Sequence, residues 1–126
     1  MVITHLDHLV LTVHDVDQTC EFYSNILGFA VITFGDNRKA LQFGNQKINL
    51  HQYRHEIDPK AAYPTPGSAD LCFIAATPVE EVLKELMLHN VEMLSGIVER
   101  TGAVGKIRSV YFRDPDGNLL EVSNYE

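Results

Sequence analysis

Apolar and polar residues along this chain run twice through one plan. Residues 8–13 alternate as a half-buried strand does, with Leu9, Leu11 and Val13 on one side. A helical stripe follows, in which Val16, Cys20, Tyr23 and Leu27 recur at helical spacing and Phe22 and Ile26 widen the face. Asp15 suits its N-cap, Gln18 completes a capping-box pattern, and Gly28 suits the left-handed residue that ends it. Three short strand-like runs come next, over residues 30–34, 39–43 and 47–53. The second pass repeats the order. Residues 70–75 read as a strand and 79–89 as a helix, with Thr77 as cap, Pro78 at its first position and Glu80 at its third. Val79, Val82, Leu83 and Leu86 form its stripe, and the helix is expected to stop near Asn90. Strands are then predicted over 91–94, 107–113 and 118–123. The pattern is α+β, in two β-α-β-β-β modules. A module of this size is too short to bury its own apolar face, so the two are expected to share a core in one domain spanning 1–126.

The modules fall at about 1–57 and 70–126. Residues 54–69 contain three prolines and Gly67 without either period, and read as a linker. Asp114-Pro115-Asp116-Gly117 is a turn with a mechanism: proline fixes φ, aspartate bonds its own backbone, and glycine supplies positive φ. It predicts a hairpin between the last two strands. Gly102 to Gly105 forms a second flexible loop.

Charge removes some partners. A net charge of -7 carries no sign of the clustered basic face that a phosphate backbone requires, which argues against nucleic acid. The first five residues lack the cationic start of a secretory signal, and no apolar run reaches membrane-spanning length. The expected location is therefore cytoplasmic, with no membrane partner. Two cysteines, Cys20 and Cys72, lie in no metal-binding spacing and read as reduced, mostly buried thiols.

Strand parity then isolates the polar chemistry. Leu9, Leu11, Val13, Ile48, Leu50, Leu71, Phe73, Ala75, Leu120 and Val122 belong to helix-facing sets. Opposite them stand His8, Val10 and Thr12; Asn49, His51 and Tyr53; Asp70, Cys72 and Ile74; Leu119, Glu121 and Ser123. Imidazole nitrogen with carboxylate oxygen is a donor set suited to Mn²⁺, Fe²⁺, Ni²⁺ or Zn²⁺. The competing explanation is a solvated polar face, with His8 and Glu121 as an ordinary hydrogen-bonded pair.

Three stretches carry a resemblance: residues 6–13 (LDHLVLTV), 22–29 (FYSNILGF) and 112–121 (FRDPDGNLLE). Together they resemble the vicinal oxygen chelate superfamily, which contains glyoxalase I, fosfomycin-resistance proteins, extradiol dioxygenases, methylmalonyl-CoA epimerase and bleomycin-resistance proteins. Among its members the chain looks most like small glyoxalase-domain proteins that carry a PGSADLCF stretch, here residues 66–73. The resemblance implies a curved, partly open barrel-like sheet, a homodimer, and one divalent cation held at His8, at Asn49 or His51, at Asp70 and at Glu121. His51 is expected to be the better ligand of its pair, because imidazole outranks a carboxamide for late first-row cations. Two positions depart from the superfamily: Asn49 stands where glyoxalase I has Glu or Gln, and Asp70 stands where a second His is general.

A metal-dependent lyase, isomerase or thiol transferase acting on a small electrophile follows from that set. Glu121 or Asp70 would move the proton, and Tyr111 would polarise a substrate oxygen or else pack as an ordinary strand aromatic. Arg38, Lys39, Lys106 and Arg108 are candidates for binding a substrate carboxylate or phosphonate, with Asn49 beside them, although isolated surface cations are the plainer explanation. Two alternatives remain: an extradiol dioxygenase using His8, His51 and Glu121 on Fe²⁺, and a metal-free drug-binding protein with Phe34, Phe43, Tyr53 and Tyr63 lining a groove.

Overall fold

A computed structural model describes residues 1–126. The chain divides into two compact units, Met1–Gly67 and Ser68–Glu126. The first runs β1 (His8–Val13), α1 (Val16–Leu27), β2 (Ala30–Phe34), β3 (Arg38–Phe43) and β4 (Gln46–Gln52). The second runs β5 (Asp70–Ile74), α2 (Val79–Leu88), β6 (Val98–Thr101), β7 (Lys106–Arg113) and β8 (Leu119–Tyr125). Each unit holds a four-stranded mixed sheet, ordered β1-β4-β3-β2 in one and β5-β8-β7-β6 in the other. The opening strand lies parallel to the closing one and the remaining pairs are antiparallel. The fold is α+β, as the alternating pattern predicts, and the sheets are open, as the resemblance implies.

In the first unit, Asp15 caps α1 by accepting from the Gln18 amide at 3.0 Å. Gly28 ends the helix at φ +71°, donating to the Ser24 carbonyl while Phe29 donates to that of Tyr23. Tyr23 is fully buried, with Phe22 and Phe29 against it, and Phe29 stacks on Phe43 at 4.5 Å. Leu11, Val13, Leu41, Ile48 and Leu50 complete this core. In the second, Val79, Val82 and Leu86 of α2 pack with Val110, Phe112, Leu120 and Val122. Each large apolar side chain so buried contributes roughly 1.5–3 kcal/mol.

Three local expectations are corrected. Thr77 does not cap α2: Pro78, at ψ 138°, is the cap residue and has no side-chain donor or acceptor to offer. Asn124 of β8 does the work instead, accepting from the Val79 amide at 2.7 Å and donating to the carbonyls of Ala75 and Thr77. The strand expected over 91–94 is absent, since Asn90 takes φ +59° and Leu94 makes a single bond to the Tyr111 carbonyl before Ser95 and Gly96 intervene. The strand forms later, at Val98–Thr101. Finally, Cys72 is exposed rather than buried, because alternation in β5 turns it away from α2.

The Asp114 turn forms as read. Its carboxylate accepts from the amides of Asp116 and Asn118 and from the Asn118 side chain, and Gly117 takes φ +89°. In the Gly102 to Gly105 turn, Val104 donates to the Tyr125 hydroxyl.

Candidate functional site

The faces turned away from the helices carry the chemistry, and each unit has its own. In the first, register places His8 beside Lys47, Val10 beside Asn49 and Thr12 beside His51. Asn49 also pairs with Ala40 of β3. Continuing that antiparallel ladder by two residues brings Arg38 level with His51. Asn49 and His51 are both buried, at 6% and 4% exposure. Burial and the nearby Arg38 guanidinium push the His51 imidazole below its ordinary value, Lys60 adds to the effect, and Glu56 opposes it. Lys47 Nζ and Arg38 Cζ lie 4.0 and 4.8 Å from the centroid of the Phe34 ring.

His8 is half-exposed, and its Nδ1 meets Asp7 Oδ2 at 2.8 Å. That contact holds the Asp7 carboxyl below the usual carboxylate range. A carboxylate on Nδ1 fixes the tautomer that leaves Nε2 free as a ligand, the arrangement common behind metal-binding histidines.

The second unit's face is anionic and hydroxylic. Cys72, Glu121 and Tyr111 stand level across β5, β8 and β7, with Ser123 and Ser109 paired two residues on. Ser109 Oγ donates to Glu121 Oε2 at 2.5 Å and lies 2.6 Å from Ser123 Oγ, which is 3.4 Å from Cys72 Sγ. Partial desolvation by the surrounding strands, helped by the Glu121 and Asp70 carboxylates, pushes the Cys72 thiol up, against the Ser123 hydrogen bond. Tyr111 is raised by burial above all; the Arg100 contact opposes the shift and the Glu121 carboxylate adds to it. Arg100 Nε donates to its hydroxyl at 3.2 Å. A phenol so placed stays protonated and donates. Asp70 opens β5 and is exposed.

Two expected sites do not assemble. His51 stands level with Thr12, four register steps along the sheet from His8, roughly 13 Å at about 3.3 Å per residue. With metal–nitrogen bonds of about 2 Å, the two imidazoles are badly spaced for one ion, and the Arg38 charge beside His51 repels a cation. Arg108 and Lys106 share the parity of Val110 and Phe112, on the helix side of the sheet and away from Glu121. Arg108 is committed to Glu80 of α2 at 2.6 Å, so its expected role in holding substrate is set aside. Within neither unit do three or more His, Cys, Asp or Glu side chains gather as a ready metal cluster.

Sequence reasoning missed Asp7, Lys47, Arg100 and Ser109 as parts of these faces, although it placed Ser123 on one of them. Asp7 adjoins His8 and was legible as a neighbour, whereas the serine pair depends on the register of β7 against β8.

A family model described as the Glyoxalase/Bleomycin resistance protein/Dioxygenase superfamily matches residues 5–122. The chain belongs to this superfamily. The virulence protein STM3117 of Salmonella typhimurium is 58% identical over 99% of this chain and 87% of its own length. Its crystal structure superimposes with a TM-score of 0.99, covering all of both chains. The glyoxalase domain-containing protein RDO1 of Mycosarcoma maydis is 54% identical over 96% of this chain and 68% of its own length. More distant is the metallothiol transferase FosB of Shouchella clausii, 26% identical over 93% of this chain and 77% of its own length. No helix is long and apolar enough to cross a membrane.

Proposed function

We propose that this glyoxalase-superfamily chain is a divalent-metal-dependent lyase, isomerase or thiol transferase acting on a small electrophile. The observation that carries the reading is the Asp7–His8 pair, which leaves His8 Nε2 free for coordination. The donor types suit a borderline divalent cation: the candidate ligands are the oriented His8 imidazole in the first unit and the Asp70 and Glu121 carboxylates in the second, with Glu121 Oε2 accepting from Ser109. A bound cation supplies Lewis-acid polarisation of a substrate oxygen. The distant metallothiol transferase supports the reaction class by its name.

The chain's own residues then divide the work. The Ser109 hydroxyl steadies Glu121, the carboxylate assigned to accept a proton from substrate. Tyr111, kept neutral by burial, donates its hydroxyl hydrogen to a developing oxyanion, and Arg100 fixes the direction of that hydroxyl. Asp70 is the alternative base. His51, set among Arg38 and Lys60, belongs to substrate binding in this reading rather than to the metal.

The test is elemental analysis of protein purified without chelator, followed by turnover with methylglyoxal–thiol adducts and with epoxides plus thiol. Bound Mn²⁺, Ni²⁺, Zn²⁺ or Fe²⁺ together with chelator-sensitive turnover is the expected result. A parent protein that takes up no cation and only sequesters an aromatic cationic drug would replace this reading with metal-free binding. We also infer a homodimer, since Val10 and Ile74 on the two open faces are 44% and 54% exposed. Sedimentation showing a monomer with and without metal would contradict it.

A further inference from the structure

Three buried polar atoms of the first unit have no hydrogen-bond partner: Arg38 Nε, Asn49 Oδ1 and Glu56 Oε2. Left unmet, each costs about 1–3 kcal/mol, so atoms of this kind call for an explanation. Arg38 and Asn49 share one sheet face. The Ala40–Asn49 pairing sets Arg38 diagonal to Asn49, and the continued ladder sets it level with His51. Asn49 and His51 are more than nine-tenths buried. Lys47, two residues before Asn49 on the same face, shares the Phe34 ring with Arg38 and adds a second cation.

This face therefore offers an N–H donor with no acceptor and an oxygen acceptor with no donor, beside the cations Arg38 and Lys47, with the Glu56 carboxylate as the opposing charge near His51. A bare cation answers the oxygens of Asn49 and Glu56 but leaves Arg38 Nε unmet and is repelled by Arg38 and Lys47. A simple anion answers only the guanidinium. A ligand with both complements carries an anionic oxygen for Arg38 and, next to it, a hydroxyl or amino hydrogen for Asn49 Oδ1. We propose that Arg38, Asn49 and His51 form a subsite for a small carboxylate bearing an adjacent hydroxyl or amino group. Arg38 fixes the carboxylate, Asn49 selects the neighbouring donor, and the His51 imidazole walls the site beside both. The subsite belongs to the first unit alone, so its occupancy does not depend on the proposed cation.

The experiment is calorimetric titration of the full chain, held in chelator, with three matched probes: glycolate, acetate and ethylene glycol. Glycolate is expected to bind, acetate about tenfold more weakly, and ethylene glycol not at all. Arg38→Gln is expected to abolish glycolate binding, with Arg38→Lys recovering part of it. Asn49→Leu is expected to leave acetate binding unchanged and to erase the preference for glycolate. Circular dichroism of each variant separates loss of binding from loss of fold, and Arg38→Lys keeps the test open where Arg38→Gln unfolds. Absence of glycolate binding by the folded parent, or binding that Arg38→Gln leaves intact, would overturn the proposal, the orphan atoms then being met by internal water. Because chelator is present throughout, that failure is distinct from a failure of the metal reading.

Discussion

On the open face of the first half stand Arg38, Lys47, Asn49 and His51; at the matching register positions of the second half stand Ser109, Leu119, Glu121 and Ser123. The helix-side faces show no such divergence. Leu11, Ile48 and Leu41 in one half answer Phe73, Leu120 and Phe112 in the other, all apolar. Packing against a helix constrains one side of each sheet to hydrophobic residues, and the other side is free to differ. The repeat thus encodes the fold twice and a different chemistry in each half, cationic in the first and carboxylate with hydroxyl in the second.

The strongest way to break this comparison is through the two cores, one in each half. Tyr23→Ala and Phe112→Ala each remove a fully buried ring and are expected to destabilise the chain by about 3–5 kcal/mol, read from denaturant midpoints. A large loss from one and none from the other would show that the halves are not equivalent scaffolds. The hairpin turns sharpen the contrast next. Asp114 anchors the β7–β8 turn through three hydrogen bonds, so Asp114→Ala is expected to cost on the order of 3 kcal/mol. Asn45, exposed in the corresponding β3–β4 turn, is expected to change stability by less than about 0.5 kcal/mol when made alanine. Gly102→Ala falls between these two. Its new Cβ would fall 2.8 Å from the Tyr125 hydroxyl and 2.9 Å from Ile107, an overpacking expected to cost about 1–3 kcal/mol by the same measurement.

The smallest expected effect concerns pH. His51 is held below the ordinary imidazole value of 6.5 in the folded chain, through burial and Arg38. In the unfolded chain it takes up a proton as pH falls through that value. Its contribution to stability is therefore intact above 6.5, declines as pH falls toward the lowered folded value, and declines no further below it. His51→Gln is expected to flatten the stability profile in that mildly acidic window, measured on chelated protein, and an unchanged slope would place the imidazole in ordinary solvent.

How much of this was legible in the sequence follows from which interactions are local. Asp15, Gly28 and the Asp114 turn were readable because cap and turn chemistry acts within a few residues. The Asn124 cap on α2 was not, since it bonds across 45 residues to a position where Thr77 looked sufficient. Parity placed His8, Asn49, His51, Asp70 and Glu121 on open faces. Parity is silent on distance along a strand, and so His51 looked the better ligand of its pair with Asn49 until register set it four steps from His8. Lys106 and Arg108 failed for a related reason, because their parity is fixed by the pairing of β7 with β8 and not by the charged residues themselves.

The most direct measurement is metal content, by elemental analysis, of four folded proteins purified in parallel: the parent, His8→Ala, Glu121→Gln and His51→Ala. The expected result is that the parent and His51→Ala carry the cation, while His8→Ala and Glu121→Gln each lose it. Retention of metal by both His8→Ala and Glu121→Gln, or its loss from His51→Ala alone, would contradict the proposed assignment of the cation to His8 and Glu121 and of His51 to substrate.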